Sequence, residues 1–285
     1  MARRVAITGA AGQLGRELVR AFGDAGDAGD EVLALSRPEF DITEASHVER
    51  LAAWHPDIVV NAAAWTDVDA CARDPERAMR INGEAAGAVA SAAAVAGALA
   101  VQISTNEVFD GQLDRPYIED DPANPINPYG ASKLAGELAV ARADPRHLIV
   151  RTAWLYGAGA GNFPAKIRAA AERMAAEGAP LLVVADERGN PTDVRWLAPA
   201  VRGLVELAIT ESAGLGIVHV AGAPATSRLD WARAILRDVP VTIEPMRLAE
   251  YRRDSRVPPR AVLDVSRAAS LGIQQFDWRD RGTAG

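Results

Sequence analysis

Directly after its first strand-like run the chain reads Thr8-Gly9-Ala10-Ala11-Gly12-Gln13-Leu14-Gly15 and then turns helical. No other feature narrows the fold as much. Glycines at this spacing let the backbone turn sharply at a strand end, approach a ligand closely and pack the next helix on the strand. The free N–H groups at that helix start face an anion. Apolar, β-branched runs at 5–8, 31–35, 58–61, 98–104 and 147–151 alternate with helical stretches at 13–22, 46–54, 75–96 and 129–143. Short strands separated by helix-length spacers pair in parallel through right-handed crossovers. The expected architecture is therefore α/β: a doubly wound, Rossmann-like parallel sheet with a smaller C-terminal substrate-binding domain.

Residues 1–155 read as the dinucleotide-binding unit. Residues 156–285 read mostly as the substrate-binding region, with some segments returning to the core. In that second part the pattern weakens to helices near 162–176 and 194–209, strand-like 181–185 and 217–221, and a helix led by Ser227, with Asp230 three residues on. The last forty-odd residues, rich in Arg and Pro, read as a cover over a site.

Composition excludes several classes. The 285 residues are 49% apolar, enough for a substantial core. A net charge of −7, from 31 basic and 38 acidic residues, argues against a nucleic-acid partner, which needs a positive field. Cys71 is the single cysteine, so no internal disulfide forms, and a reducing cytoplasm with a structural thiol is expected. No export signal is expected either. The uncharged stretch 85–101 contains Gly87 and Gly97 and reads as a helix feeding a strand rather than a membrane span. His47, His55, His147 and His219 lack metal-ligand spacing, so no protein metal site is predicted.

The glycine spacing is Gly-x-x-Gly-x-x-Gly, a modest signal alone, for which a merely tight turn is the alternative. Its place between a strand and a helix points to a dinucleotide, with Gly9, Gly12, Gln13, Leu14 and Gly15 around the pyrophosphate. The second strand ends in Leu35-Ser36-Arg37. A hydroxyl and a forked cation suit a ribose 2′-phosphate, where a carboxylate would repel it. NADPH is predicted over NADH. Asp41 and Ile42 are placed to flank the adenine, with a turn cap as the alternative for Asp41.

The chemistry is carried by Tyr129-Gly130-Ala131-Ser132-Lys133. Residues four apart share a helix face, so phenol and ammonium address one ligand, and the ammonium is expected to lower the phenol's pKa. With two lysines and four tyrosines in the whole chain, chance is a weak explanation. Upstream, Gln102-Ile103-Ser104-Thr105-Asn106 closes a buried strand, at whose carboxyl end ligands sit in such sheets. Thr105 can hydrogen-bond the oxygen that Tyr129 would protonate. Three groups at one oxygen imply reduction of a ketone without a metal.

Together TGAAGQLG, NAAAWT, ISTNEVFDG, YGASK, RTAWLYG, GNPT and VLDVSRAASLGI resemble the extended short-chain dehydrogenase/reductase superfamily and, more closely, the dTDP-4-dehydrorhamnose reductases. The resemblance implies a modified Rossmann fold and NADPH-dependent reduction of dTDP-4-dehydro-L-rhamnose to dTDP-L-rhamnose. It places Gly12, Gln13 and Leu14 at the pyrophosphate, Asp41 and Ile42 at the adenosine, and Ala64, Trp65, Thr66 and Ile103 along the cofactor. It makes Tyr129 the proton donor, sets Lys133 on the nicotinamide ribose and has Thr105 polarise the keto oxygen. Thr105, Asn106 and Trp154 would line the pocket for the partner, a dTDP-linked 4-keto-6-deoxysugar. The family also dimerises and holds Mg2+, though no acidic residue here marks either feature, so a homodimer and Mg2+ are carried over on the resemblance alone. Where the family commonly shows STDYVF, this chain has Asn106 and Glu107, which opens a related keto sugar of the dihydrostreptose type as substrate. A non-enzymatic subunit, as the resemblance to regulatory subunits of methionine adenosyltransferase allows, is the contrasting reading. The intact Thr105, Tyr129 and Lys133 argue against it.

Overall fold

The computed structural model describes residues 2–24, 29–159, 161–210 and 214–280. Its centre is a parallel sheet of β1 (Arg4–Thr8), β2 (Glu31–Leu35), β3 (Ile58–Asn61), β4 (Leu99–Thr105), β5 (Leu148–Thr152) and β6 (Gly216–His219). Their order is β6-β5-β4-β3-β1-β2, so the chain reverses its direction of growth between β1 and β3. A crevice opens at such a reversal because the connections after the two strands leave in opposite directions.

Helix α1 (Gln13–Gly23) and α8 (Val194–Thr210) lie together on one face, and their apolar residues join β1, β3, β4 and β5 in one core. The other face is covered by α2 (Ala45–Ala53), α5 (Ala85–Val95) and α6 (Pro128–Ala143), whose core includes Val48, Val89, Ala93 and Val140. Between β3 and α5 run α3 (Val68–Arg73), α4 (Pro75–Ala78) and a π-helical turn over Met79–Glu84. The uncharged stretch at 85–101 is thus α5 and the first three residues of β4. Its small residues let α5 approach α6 until Gly87 lies against Ala139. The single helix expected over 75–96 is instead divided by the π turn, which places Asn82 against α6, as described below.

The later region builds its own core around the fully buried Trp231, with Tyr156, Ala171, Leu181, Leu229 and Phe276. It contains α7 (Phe163–Glu177) and α9 (Arg228–Ile235), while α8 and β6 return to the main sheet. Ser227 caps α9 by accepting from the Asp230 N–H at 3.0 Å and donating to its carboxylate at 2.7 Å. Ile243–Met246 pairs in parallel with Leu181–Val184, so the C-terminal cover begins with a short ladder. Among the described residues no helix is long and apolar enough to cross a membrane.

Candidate active site

The glycine turn closes over the crevice for steric reasons that can be read atom by atom. Gly9 has φ +69, and a Cβ there would stand 2.7 Å from the Ala63 nitrogen. A Cβ on Gly15 would stand 2.1 Å from the Gly9 carbonyl oxygen, so the helix can seat on the turn only with glycine at that place. Gly12 is the exposed N-cap of α1 and lines a cavity of about 400 Å3 above the turn. Leu14 points into the core, which leaves only its backbone for a ligand. The Gln13 side chain lies against Gly157 with its buried Nε2 lacking a protein partner.

Ser36, Arg37, Asp41, Ile42, Ala64 and Trp65 line the same cavity. Thr66 does not; it is exposed beyond the rim. Asp41 accepts from the Thr43 N–H at 2.9 Å and hydroxyl at 2.7 Å, and these bonds hold its carboxyl below the usual range, with Arg37 adding to the effect. The carboxylate therefore caps its own turn while facing the cavity. Two residues that the sequence did not single out, Arg77 and Arg80, line it as well.

The three chemical groups meet at the carboxyl end of β4. Helix α6 starts where it does because Asn127 caps it, accepting from the Gly130 N–H at 2.7 Å, and Pro128 occupies the first turn. This sets Tyr129 at the helix start, beside Cys71 and Trp65, with a hydrogen bond between its hydroxyl and Thr105. Lys133, one turn on, donates to the Ile103 carbonyl at 2.6 Å. That oxygen also accepts from Gln102 Nε2 at 2.8 Å, the last link of a buried chain running from Thr8 through Asn61 across three strands. Behind it, Glu137 forms a fully enclosed pair with Arg151 at 2.7 Å and accepts from Ser104 at 2.5 Å. Ser104 is thus strand-end structure.

One electrostatic expectation is corrected. Burial pushes the Tyr129 hydroxyl well above the ordinary phenol value, the charge of Glu107 pushes the same way, and only the Thr105 hydrogen bond opposes them. Burial also drives Lys133 down, to about 8, against the pull of Glu137. The ammonium, turned to Ile103, does not lower the phenol. In the free protein Tyr129 is therefore protonated, the form a proton donor needs.

On the outer side, the Asn106 amide donates to the Ala261 carbonyl at 2.9 Å and so holds the C-terminal cover. Glu107 accepts from Asn127 Nδ2 at 2.6 Å, and the same amide donates to the Arg256 carbonyl at 2.8 Å. Burial raises the Glu107 carboxyl to about 7, with Asn127, Arg253 and Arg228 pulling it down and Glu187 pushing it up. Asp69 ties the cover to α3 through Arg253 Nε at 3.1 Å and the Ser255 N–H at 2.9 Å. Trp154, at φ +45, is half-buried. The Arg228 guanidinium, held by Glu187 at 3.0 Å, lies 3.6 Å from its ring centroid, and Gly189 and Trp231 pack beside it.

Cys71 is buried and its thiol is pushed up to about 11 by burial, which suits a structural thiol. Among the described residues no group of three or more His, Cys, Asp or Glu side chains is placed to hold a metal ion. Nothing among the described residues marks a place for the Mg2+ carried over from the resemblance.

A parallel sheet reversing at β1 and β3, a glycine turn under a cationic cavity, and Thr105, Tyr129 and Lys133 beside it define a Rossmann-like reductase of the short-chain dehydrogenase/reductase class. The family model described as RmlD substrate binding domain matches residues 3–283. A dTDP-4-dehydrorhamnose reductase of Mycolicibacterium smegmatis is 40% identical over 98% of this chain and 84% of its own length. A crystal structure of a dTDP-4-dehydrorhamnose reductase from Clostridium acetobutylicum superposes with a TM-score of 0.89 at 33% identity, covering 97% of this chain and 96% of that one. Another, from Bacillus anthracis in complex with NADP, gives a TM-score of 0.89 at 31% identity, with 99% and 98% covered. The chain belongs to the RmlD substrate binding domain family.

Proposed function

We propose that this protein reduces the 4-keto group of dTDP-4-dehydro-L-rhamnose to give dTDP-L-rhamnose, using NADPH. The observation that carries the reading is the convergence of Thr105, Tyr129 and Lys133 on one strand end beside the dinucleotide cavity. Relatives named for this reaction, and a neighbour that binds NADP, support it. Gly12, Ser36 and Arg37 offer the cofactor a glycine-rich helix start and a cation, and a side chain at Gly9 would collide with the backbone after β3. NADPH bound there supplies the hydride.

The chain's own residues do the rest. Tyr129, kept protonated by burial and by Glu107, donates its proton to the keto oxygen. Thr105 holds that oxygen and the phenol on a common line. Lys133, fixed on Ile103, offers its remaining N–H groups to the nicotinamide ribose. The aromatic wall at Trp154 and the cover above Glu107 exclude water.

The test follows the loss of reduced nicotinamide absorbance with NADPH and a panel of dTDP-4-keto sugars. Turnover is expected with the rhamnose precursor. Tyr129→Phe should lower kcat by about 10²–10⁴ while NADPH binding stays near wild type. Undiminished turnover in that variant, or no oxidation of NADPH with any of these sugars, would end the assignment.

A further inference from the structure

The cavity above the glycine turn carries three arginines and one carboxylate, in a protein whose net charge is −7. Asp41, the carboxylate, is turned to Thr43. Among the described residues Arg37, Arg77 and Arg80 have no carboxylate within ion-pair distance, whereas Arg3, Arg73, Arg115 and Arg151 all do. Unpaired cations gathered at one concavity focus a positive field into it.

Arg77 and Arg80 are placed there by the segment between β3 and α5. With Ile81 they occupy positions i, i+3 and i+4, one helical face, and that face lines the cavity together with Ser36 and Arg37. The Arg77 guanidinium lies 4.6 Å from the Trp65 ring centroid, which restrains it. The π turn that carries Arg80 is anchored twice through Asn82. That side chain accepts from the Trp65 N–H at 2.8 Å, and its amide donates to the Trp65 carbonyl and to Ser132 Oγ on the Tyr129 helix, each at 3.0 Å. Such turns persist at functional sites because they set side chains where a regular helix would not.

We infer that Arg77 and Arg80 are cofactor-binding residues, closing with Arg37 on the phosphates of the dinucleotide. The inference rests on the NADPH reading above. Two phosphate groups of that ligand share the required chemistry, the ribose 2′-phosphate and the bridging diphosphate, and the test separates them.

Calorimetric titration of the intact wild-type chain, Arg77→Gln, Arg80→Gln and the double variant would use NADPH, NADH and 2′,5′-ADP. Both arginines are exposed and glutamine is a good helix former, so the fold should persist. Each single variant should weaken NADPH by about 10-fold or more, the range for a charge-assisted hydrogen bond. A loss confined to NADPH and 2′,5′-ADP assigns the pair to the 2′-phosphate, and an equal loss for NADPH and NADH assigns it to the diphosphate. NADPH affinity unchanged in the double variant, while the wild type binds NADPH, overturns the clamp and leaves the reductase reading standing. A wild type that binds neither dinucleotide removes both.

Discussion

Glu107 couples pH to the stability of this fold. Burial raises its carboxyl from an ordinary 4.5 to about 7, although Asn127, Arg253 and Arg228 favour the charged form. A group whose folded value is raised contributes stability that is complete below its unfolded value and is lost as pH climbs through the folded one. The window here runs from about 4.5 to somewhat above 7. At about 1.36 kcal/mol per unit, the shift sets a ceiling of about 3 kcal/mol. The residue reaches solvent along one edge, so about 1–2 kcal/mol is the working expectation. Glu107→Gln keeps an oxygen for Asn127 and removes the titration. Urea unfolding of both proteins at about pH 5 and about pH 8.5 then isolates the effect, because every other titrating group is common to the two. The variant should gain on the wild type by that amount between the two conditions. A stability difference that is flat with pH, or that tilts toward the wild type on the basic side, would refute the account. Removing the charge should also bring the Tyr129 hydroxyl down, so the basic limb of the kcat profile should move to lower pH.

Other consequences follow from burial and close contact. Glu137→Leu would leave Arg151 enclosed without its partner and should cost about 3–5 kcal/mol in chemical unfolding, and a loss below about 1 kcal/mol would mean the guanidinium finds another acceptor. Gly15→Ala places a Cβ 2.1 Å from the Gly9 oxygen, so the turn must open, and calorimetry should show NADPH binding weakened by at least about 10-fold, or the turn does not hold the cofactor. Asn82→Ala strips hydrogen bonds from Trp65 and Ser132, and unfolding should register about 1–3 kcal/mol together with a higher KM for NADPH, both absent if the π turn is held by packing alone.

Much of this was legible in local pattern. The glycine turn, the alternation of strands and helices and the Tyr129/Lys133 spacing obey rules that act over a few residues: allowed φ, side-chain period and shared helix face. Even the Asn127 cap stands in the sequence, as asparagine before proline at a helix start. The π turn was not legible, since an unbroken helical pattern runs through it, and nothing in that pattern sets Arg77 and Arg80 apart. Nor could the sequence say that the Asn106 amide would donate to the Ala261 carbonyl, 155 residues further on.

The sequence by itself determined the doubly wound sheet, the glycine turn at its crevice and the Tyr129/Lys133 pair on one helix face, because each depends on neighbours along the chain. Only the tertiary structure decided their electrical state. Tyr129 is kept protonated and Lys133 pushed down by burial among groups from β4, the turn that follows it and α6, and Arg37, Arg77 and Arg80 share one cavity at the switch between β1 and β3. Desolvation and long-range juxtaposition arise when distant segments close on one another, and a linear pattern carries no measure of either.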